Sequence, residues 1–190
     1  MNELNADNWF RDVLAAFRGP GEGPLLAATR IEAPPGPLLA IADADSLLLL
    51  EFMGQKDVQK LRRVLPRGAR LQEQSNAPLE QTRQELQEYF AGERREFTVP
   101  LHTDGTAFQE EVWAQLRAIP YGEVIPYAEL ARRVGRPSAF RAAADANGAN
   151  RISIIIPCHR VISSDGGIGG YGGGIARKRR LLELEGSPVR

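Results

Sequence analysis

Cysteine is almost missing from this chain: 190 residues contain one, Cys158. A single thiol forms no internal disulfide and suits a reducing compartment, so the expected location is the cytoplasm. The scarcity also excludes a multi-thiolate zinc site, and two histidines, His102 and His159, are too few to supply the missing ligands. No metal is expected. Long apolar runs are lacking as well, none approaching the roughly 18–20 residues that cross a bilayer. The opening Met1-Asn2-Glu3-Leu4-Asn5-Ala6-Asp7 is polar and acidic and has no signal-peptide core. No membrane partner is expected.

Net charge is zero, but that balance conceals a division. Residues 1–105 carry 12 basic against 16 acidic side chains, and residues 106–190 carry 12 against 8. An excess of this size is a weak pointer to nucleic acid by itself. It matters because the basic half holds the cysteine. The rest of the composition, 43% apolar and 25% charged, is that of a globular protein with one large domain or two small ones.

The densest local signal is Ile154-Ile155-Ile156-Pro157-Cys158-His159-Arg160-Val161. The isoleucines read as a buried strand that stops at Pro157, which puts a soft nucleophile and a base at its exit. A lone cysteine more often acts as a small buried hydrophobe than as a reactive group. Neighbours on an extended chain point to opposite sides, so Cys158 and His159 form no direct pair unless the chain turns between them.

Around that segment the pattern divides into two lobes. In the first, Asp7 to Phe17 has helical spacing, and residues 18–24 read as a loop rich in glycine and proline. Leu25–Ile31, Leu38–Ala42 and Ser46–Phe52 read as strands separated by good turn sequences. Gln55–Leu65 and Leu79–Gly92 read as helices. The paired acids of this lobe, Asp43 with Asp45 and Glu85 with Glu88, read as turn formers and a solvated helix face. The second lobe opens with a helix from Thr106 to Arg117 that begins in a capping box, Thr106 to Gln109, with Phe108, Val112 and Leu116 along its buried stripe. Residues 126–134 form a short helix, Gly135-Arg136-Pro137 a turn, and Ser138 caps a helix from Ala139 to about Ala146. Two short helices around a tight glycine turn make a helix-turn-helix. The second presents Arg141 among alanines. A plain helical hairpin with an exposed arginine fits that segment equally well.

Gly167-Ile168-Gly169-Gly170-Tyr171-Gly172 spells G-x-G-x-x-G, but no further strand with an acid about 20 residues on follows, as a dinucleotide site requires. The glycines read instead as a loop whose backbone approaches a ligand, with Tyr171 its one large side chain.

Tyr127 in Ile-Pro-Tyr-Ala-Glu-Leu, Arg141 in Phe-Arg-Ala-Ala, Asn150 in Asn-Gly-Ala-Asn, Pro157-Cys158-His159-Arg160-Val161, Tyr171-Gly172-Gly173-Gly174 and Leu182-Glu183-Leu184-Glu185-Gly186 occur together in one order and spacing. In this the chain closely resembles the O6-alkylguanine-DNA alkyltransferases, strongly over about residues 106–186. The resemblance implies an α/β (α+β) protein. A small ribonuclease-H-like β-sheet domain over 1–103 precedes a mostly helical DNA-binding domain over 104–190, with a helix-turn-helix and a short active-site strand or turn.

The resemblance also implies a chemistry: direct, stoichiometric transfer of an alkyl group from O6-alkylguanine in double-stranded DNA, with O4-alkylthymine left open, to Cys158 of a flipped-out nucleotide. His159 takes the thiol proton through a water, Glu185 orients His159, and Asn150 braces the turn that carries Cys158. Tyr127 donates to the departing guanine, the Gly172 amide meets O6, the carbonyls of Cys158 and Val161 accept from the exocyclic amine, and Tyr171 lines the substrate. Arg141 fills the vacated space in the stack. Arg136, Ser138 and Tyr127 join it as candidate DNA contacts. The implied transfer needs no cofactor, and the expected protein is a monomer, with clustering along DNA left open.

Phe140, Asp145 and Arg151 depart from the family pattern, and Asp145 puts a negative charge where phosphates are expected. Zinc, found in the first domain of some relatives, does not carry over without its cysteines. A non-catalytic damage-recognition relative would lack the cysteine, a transcriptional regulator has no second domain within these residues, and a cysteine hydrolase needs its histidine on a separate segment.

Overall fold

Leu38-Leu39-Ala40-Ile41-Ala42 carries no polar side chain, and such a segment is stable only with both faces covered. It becomes the fully buried strand β2 (Leu38–Ala42). Strand β1 (Leu25–Ile31) and strand β3 (Leu47–Phe52) flank it, both antiparallel, so that Ala28 faces Ile41 and Ala40 faces Leu50. A fourth strand, β4 (Arg70–Glu73), adds parallel to β1 and completes the order β3-β2-β1-β4. The computed structural model describes residues 8–19, 22–52 and 58–188.

Two helices of this unit are amphipathic and pack on the sheet. Helix α1 (Asn8–Ala16) buries Trp9, Phe10, Val13 and Leu14, and helix α2 (Val58–Val64) buries Leu61, in one cluster with Leu26, Ala28, Leu39, Ile41, Leu49 and Leu71. The Asp43 carboxylate accepts from the amides of Asp45 and Ser46, so its role as a turn former holds. The expected solvated face at Glu85 and Glu88 does not. Glu85 is buried and accepts from Gln81 Nε2 (2.9 Å) and the Val99 amide (3.3 Å). Glu88 pairs with Arg94 at 2.6 Å. Charge alone marks a carboxylate as exposed; the donors Gln81 and Val99 are what allow Glu85 to sit inside, while Glu88 is half-buried against Arg94.

The chain divides into two units, Met1–Gln87 with Val99–Leu101 and Glu88–Thr98 with His102–Arg190. Helix α3 (Ala77–Phe90) starts in the first and ends in the second. Helix α4 (Ala107–Arg117) has both capping-box bonds, Gln109 N–H to Thr106 Oγ1 at 3.3 Å and Thr106 N–H to Gln109 Oε1 at 2.9 Å. Its buried stripe is Val112, Trp113 and Leu116, and Phe108 is only half-buried, with the Arg136 guanidinium 4.9 Å from its ring centre. Helix α5 (Tyr127–Arg133) and helix α6 (Phe140–Gly148) form the helix-turn-helix. The turn begins where Gly135 takes φ +70, with its amide bonded to Arg132 O and the Arg136 amide to Ala131 O. That pair is a Schellman stop, and it needs a residue without a Cβ penalty at positive φ.

Ser138 does not cap α6. The N-cap is Ala139, without a side-chain bond, because residues 136–139 close a turn of their own through Ala139 N–H to Arg136 O at 2.9 Å. Strand β5 (Ile125–Pro126) pairs in parallel with strand β6 (Val161–Ile162), and helix α7 (Ile175–Leu184) closes the second unit.

Replacing Thr106 by alanine removes the side-chain acceptor of the α4 capping box while leaving an exposed site otherwise unchanged. Urea denaturation is expected to show a loss of about 1 kcal/mol with an unaltered m-value.

Candidate active site

The last residues of α7 create the site's central charge. The Gly186 amide bonds to Glu183 O and the Ser187 amide to Leu182 O, a second Schellman stop with Gly186 at φ +69. It leaves Glu185 as the C-cap, 5% exposed, at the end of a helix where the backbone dipole disfavours an anion. Five donors make that tolerable. Oε1 accepts from His159 Nε2 (2.9 Å), Arg160 Nη2 (2.9 Å) and the Tyr89 hydroxyl (2.7 Å). Oε2 accepts from Arg160 Nε (2.9 Å) and the Gly122 amide (3.4 Å). A Cβ on Gly122 would stand 2.9 Å from Glu185 O, so only glycine lets this backbone approach so closely.

The isoleucine run is not a strand. Residues 153–155 form a tight turn in which the Ile156 amide bonds back to Ile152 O at 3.0 Å, and Ile154 takes φ +73. Positive φ is a genuine outlier for a β-branched residue and costs on the order of 1–3 kcal/mol. The turn wins because the Asn150 side chain substitutes for a partner strand. Its Oδ1 accepts from the Ile152 amide (2.9 Å), and its Nδ2 reaches Ile156 O (2.8 Å) and Ile152 O (3.4 Å). The same Nδ2 lies 3.1 Å from Cys158 Sγ.

Cys158–Arg160 then forms a single 3₁₀ turn. This is the turn that an extended chain would not have provided, and it buries all three side chains. His159 hands Nε2 to Glu185, so the neutral ring carries its proton there. Its Nδ1 is buried and makes no hydrogen bond among the described residues. Arg160 anchors its third nitrogen on Ile119 O at 2.7 Å.

Strand β6 leaves this turn, and its pairing with β5 brings Tyr127, the first residue of α5, within electrostatic reach of the thiol. Burial, then the proximity of Cys158, raises the pKa of the Tyr127 phenol and keeps it protonated. Lys178 of α7 is fully buried and donates to Val161 O (2.6 Å) and Gly170 O (3.1 Å), which ties the glycine loop to β6. Burial lowers its pKa to about 8, so it still carries a proton at neutral pH. In the loop, Gly169 at φ +69 leaves room only for a hydrogen, since a Cβ would meet Ser163 Oγ at 3.0 Å and Tyr127 Cε2 at 3.6 Å. Tyr171 is half-buried and Gly172 exposed, with open space where its side chain would be.

The electrostatics divide the roles. Burial would raise the Glu185 pKa, but hydrogen bonds from His159 and Arg160 overcome it and hold the group down to about 2. Burial dominates for His159 and lowers its pKa despite the carboxylate. The resulting state is an ionised Glu185 whose charge Arg160 compensates, beside a neutral imidazole.

The structure thus brings together Cys158, His159, Glu185, Asn150, Tyr127 and Val161. Arg141, Arg136 and Ser138 lie apart from them on the exposed side of the helix-turn-helix. Four participants were not singled out from the sequence. Arg160 stands in the motif beside His159, but nothing local gives it a role. Asn147 puts Nδ2 3.5 Å from Cys158 O. Lys178 and Tyr89 lacked any local signal, because each gains its role from a distant segment.

Residues 27–103 match the ribonuclease-like domain of 6-O-methylguanine DNA methyltransferase, and residues 107–187 match its DNA-binding domain. A methylated-DNA–protein-cysteine methyltransferase of Methanosarcina acetivorans is 41% identical over 157 residues, covering 82% of this chain and 96% of that protein. One of Mycobacterium bovis is 57% identical over 101 residues, and the match spans 53% of this chain and 61% of that relative's length. The crystal structure of Mycobacterium tuberculosis OGT in complex with DNA superposes with a TM-score of 0.73 at 40% identity, covering 86% of this chain and 95% of that one. With its fold, its cysteine turn and both domain matches in agreement, this chain belongs to the O6-methylguanine DNA methyltransferase family.

The pKa directions predict a specific acid sensitivity. Both groups titrate lower in the fold than their ordinary values of 6.5 for His159 and 4.5 for Glu185. Their stabilisation is therefore complete above those values and is lost as pH falls, first below 6.5 as the buried imidazole resists protonation. Urea unfolding at pH 7.5 and 5.5 is expected to show a loss at 5.5 that His159→Gln removes. Arg160→Leu leaves the Glu185 charge uncompensated and is expected to cost about 3–5 kcal/mol at pH 7.5.

Proposed function

We propose that this protein repairs DNA by moving the alkyl group of O6-alkylguanine onto Cys158, once per molecule. The observation that carries the reading is the cysteine turn itself. A thiol held by an amide donor at 3.1 Å stands next to a neutral histidine whose far nitrogen is fixed on a carboxylate. A donor aimed at sulfur favours the thiolate, which is the nucleophilic form.

In this mechanism the thiol proton passes through a water to His159 Nδ1, and Glu185, charged throughout, stabilises the imidazolium that forms. Sγ attacks the alkyl carbon, an S–C bond forms as the O6–C bond breaks, and the electron pair stays with guanine. Tyr127 stabilises that leaving group by donating a proton or hydrogen bond to the ring. The thioether has no route back, so the protein is consumed. Carbonyls of Cys158 and Val161 and the Gly172 amide select guanine over the other bases.

The target atom is out of reach within a duplex, so the nucleotide is flipped, with Arg141 entering the space it leaves. Support for DNA as the partner comes from the DNA complex of the Mycobacterium tuberculosis protein. It also comes from the exposed face of α6, where Arg141, Ala142, Asp145 and Gly148 recur at helical spacing. Three of these are small or basic, and Asp145 is the exception.

Incubation with an oligonucleotide bearing one O6-methylguanine is expected to add about 14 Da to the intact protein, once, at Cys158, with no gain in Cys158→Ala. DNA binding without a mass change would overturn the reading. Asp145→Asn is expected to tighten duplex binding by roughly two- to five-fold at 0.1 M salt, measured by fluorescence anisotropy, with a smaller gain at higher salt.

A further inference from the structure

Tyr89 has no part in the mechanism above, yet it makes the shortest bond to the site's central carboxylate, 2.7 Å from its hydroxyl to Glu185 Oε1. The residue is fully buried at the last turn of α3, on the part of that helix that belongs to the second unit. Its ring is gripped by Phe97 at 5.5 Å and by the edges of Phe90 at 5.1 Å and Tyr121 at 6.0 Å. Those contacts need only a phenyl ring. The hydroxyl is a separate matter: a phenylalanine would fill the same space, so the oxygen is there for its bond. Burial and the Glu185 charge raise its pKa far above the usual phenol value, so it remains a donor at every working pH.

Oε1 is the oxygen that also receives His159 Nε2. Three donors share the two lone pairs of this one carboxylate oxygen, so each bond is weaker than it would be alone. They also fix the carboxylate's rotation, since Oε1 must meet Tyr89, His159 and Arg160 Nη2 together. We infer that Tyr89 is a positioning residue for the alkyl transfer, holding Glu185 Oε1 in line with His159 Nε2 and limiting the negative charge that reaches the imidazole. The inference rests on the transfer reading for its consequence and on the hydrogen-bond geometry for its cause. The charged groups that bear on His159 are Glu185, Arg160 and, from α7, Lys178. None of the other two donors to Oε1 comes from the segment that supplies Tyr89.

The chain's two histidines make the test direct, because a histidine-labelled sample gives one reporting ring and an exposed internal control, His102. In Tyr89→Phe the proton on His159 Nε2 is expected to move downfield as its bond to Glu185 strengthens, with His102 unchanged. The acid limb of the pH–rate profile for methyl transfer is expected to move up by about half a unit, roughly three-fold in rate on that limb. Tyr121→Phe is the packing control, since its hydroxyl donates to Leu184 O rather than to the carboxylate. It is expected to leave the His159 signal in place. Incorporating 3-fluorotyrosine into the unmutated chain makes the Tyr89 hydroxyl a stronger donor and is expected to move the His159 proton the opposite way, which keeps the test open if Tyr89→Phe folds poorly. An unmoved His159 proton in both Tyr89→Phe and the fluorinated protein overturns the inference, as does an equal shift in Tyr121→Phe. A shift of the expected sign in a protein that transfers no methyl group supports the Tyr89 assignment and overturns the functional reading instead.

Discussion

Burying one ionised carboxylate at the negative end of a helix is the constraint around which the second unit is arranged. Glu185 sits where α7's own dipole opposes it and where water is excluded. Compensation has to come from elsewhere in the chain. Arg160 supplies it bidentately from the cysteine turn, Gly122 supplies an amide from the loop after α4, and Tyr89 a hydroxyl from α3. Three segments far apart in sequence are thereby pinned to one group. A buried ion pair of this kind contributes little net stability over an apolar core, because desolvation consumes most of the Coulombic gain. What it does is tie the short turn that carries Cys158 and His159 to the end of α7, through Arg160 on Glu185.

That turn stores strain. Ile154 at φ +73 is held there by the surrounding core and by the three backbone groups that Asn150 engages. A straight strand would have satisfied the isoleucines equally well as hydrophobes. It would also have pointed Cys158 and His159 to opposite sides and left the sulfur without the amide that faces it. The asparagine side chain, at 3.1 Å from the sulfur, thus links backbone shape and thiol chemistry.

Outside the turn, the parallel β5–β6 pair and Lys178 do the placing. The first brings Tyr127 within electrostatic reach of the thiol, and the second draws the glycine loop onto β6 through two carbonyls. The helix-turn-helix, by contrast, holds Arg136, Ser138 and Arg141 outward. It is stabilised beneath by Ala143 and Ala146 and by the Trp113 indole, which donates to Ala146 O at 2.9 Å. Under the proposed function the exposed face of α6 approaches a duplex, and Asp145 is the one charge on that face that works against it.

Local physics in the sequence determined a good deal. The three antiparallel strands, the capping box at Thr106, the glycine stop at Gly135 and the role of Asp43 each depend on neighbours a few residues away, and each was legible there. The cysteine, its histidine, Asn150 and Glu185 were legible as a pattern in fixed order. Tertiary structure decided the rest. β4, four residues with two charges, becomes a strand only because β1 offers it an edge. The isoleucine run becomes a turn only because Asn150 replaces a strand partner, and Ser138 loses its cap to a turn that closes one residue later. Glu85 is buried because Val99 brings it an amide, and Arg160, Lys178 and Tyr89 acquire partners up to 96 residues away. Periodicity and propensity encode contacts within a turn or two, whereas the burial of a charge depends on which donors the completed fold delivers to it.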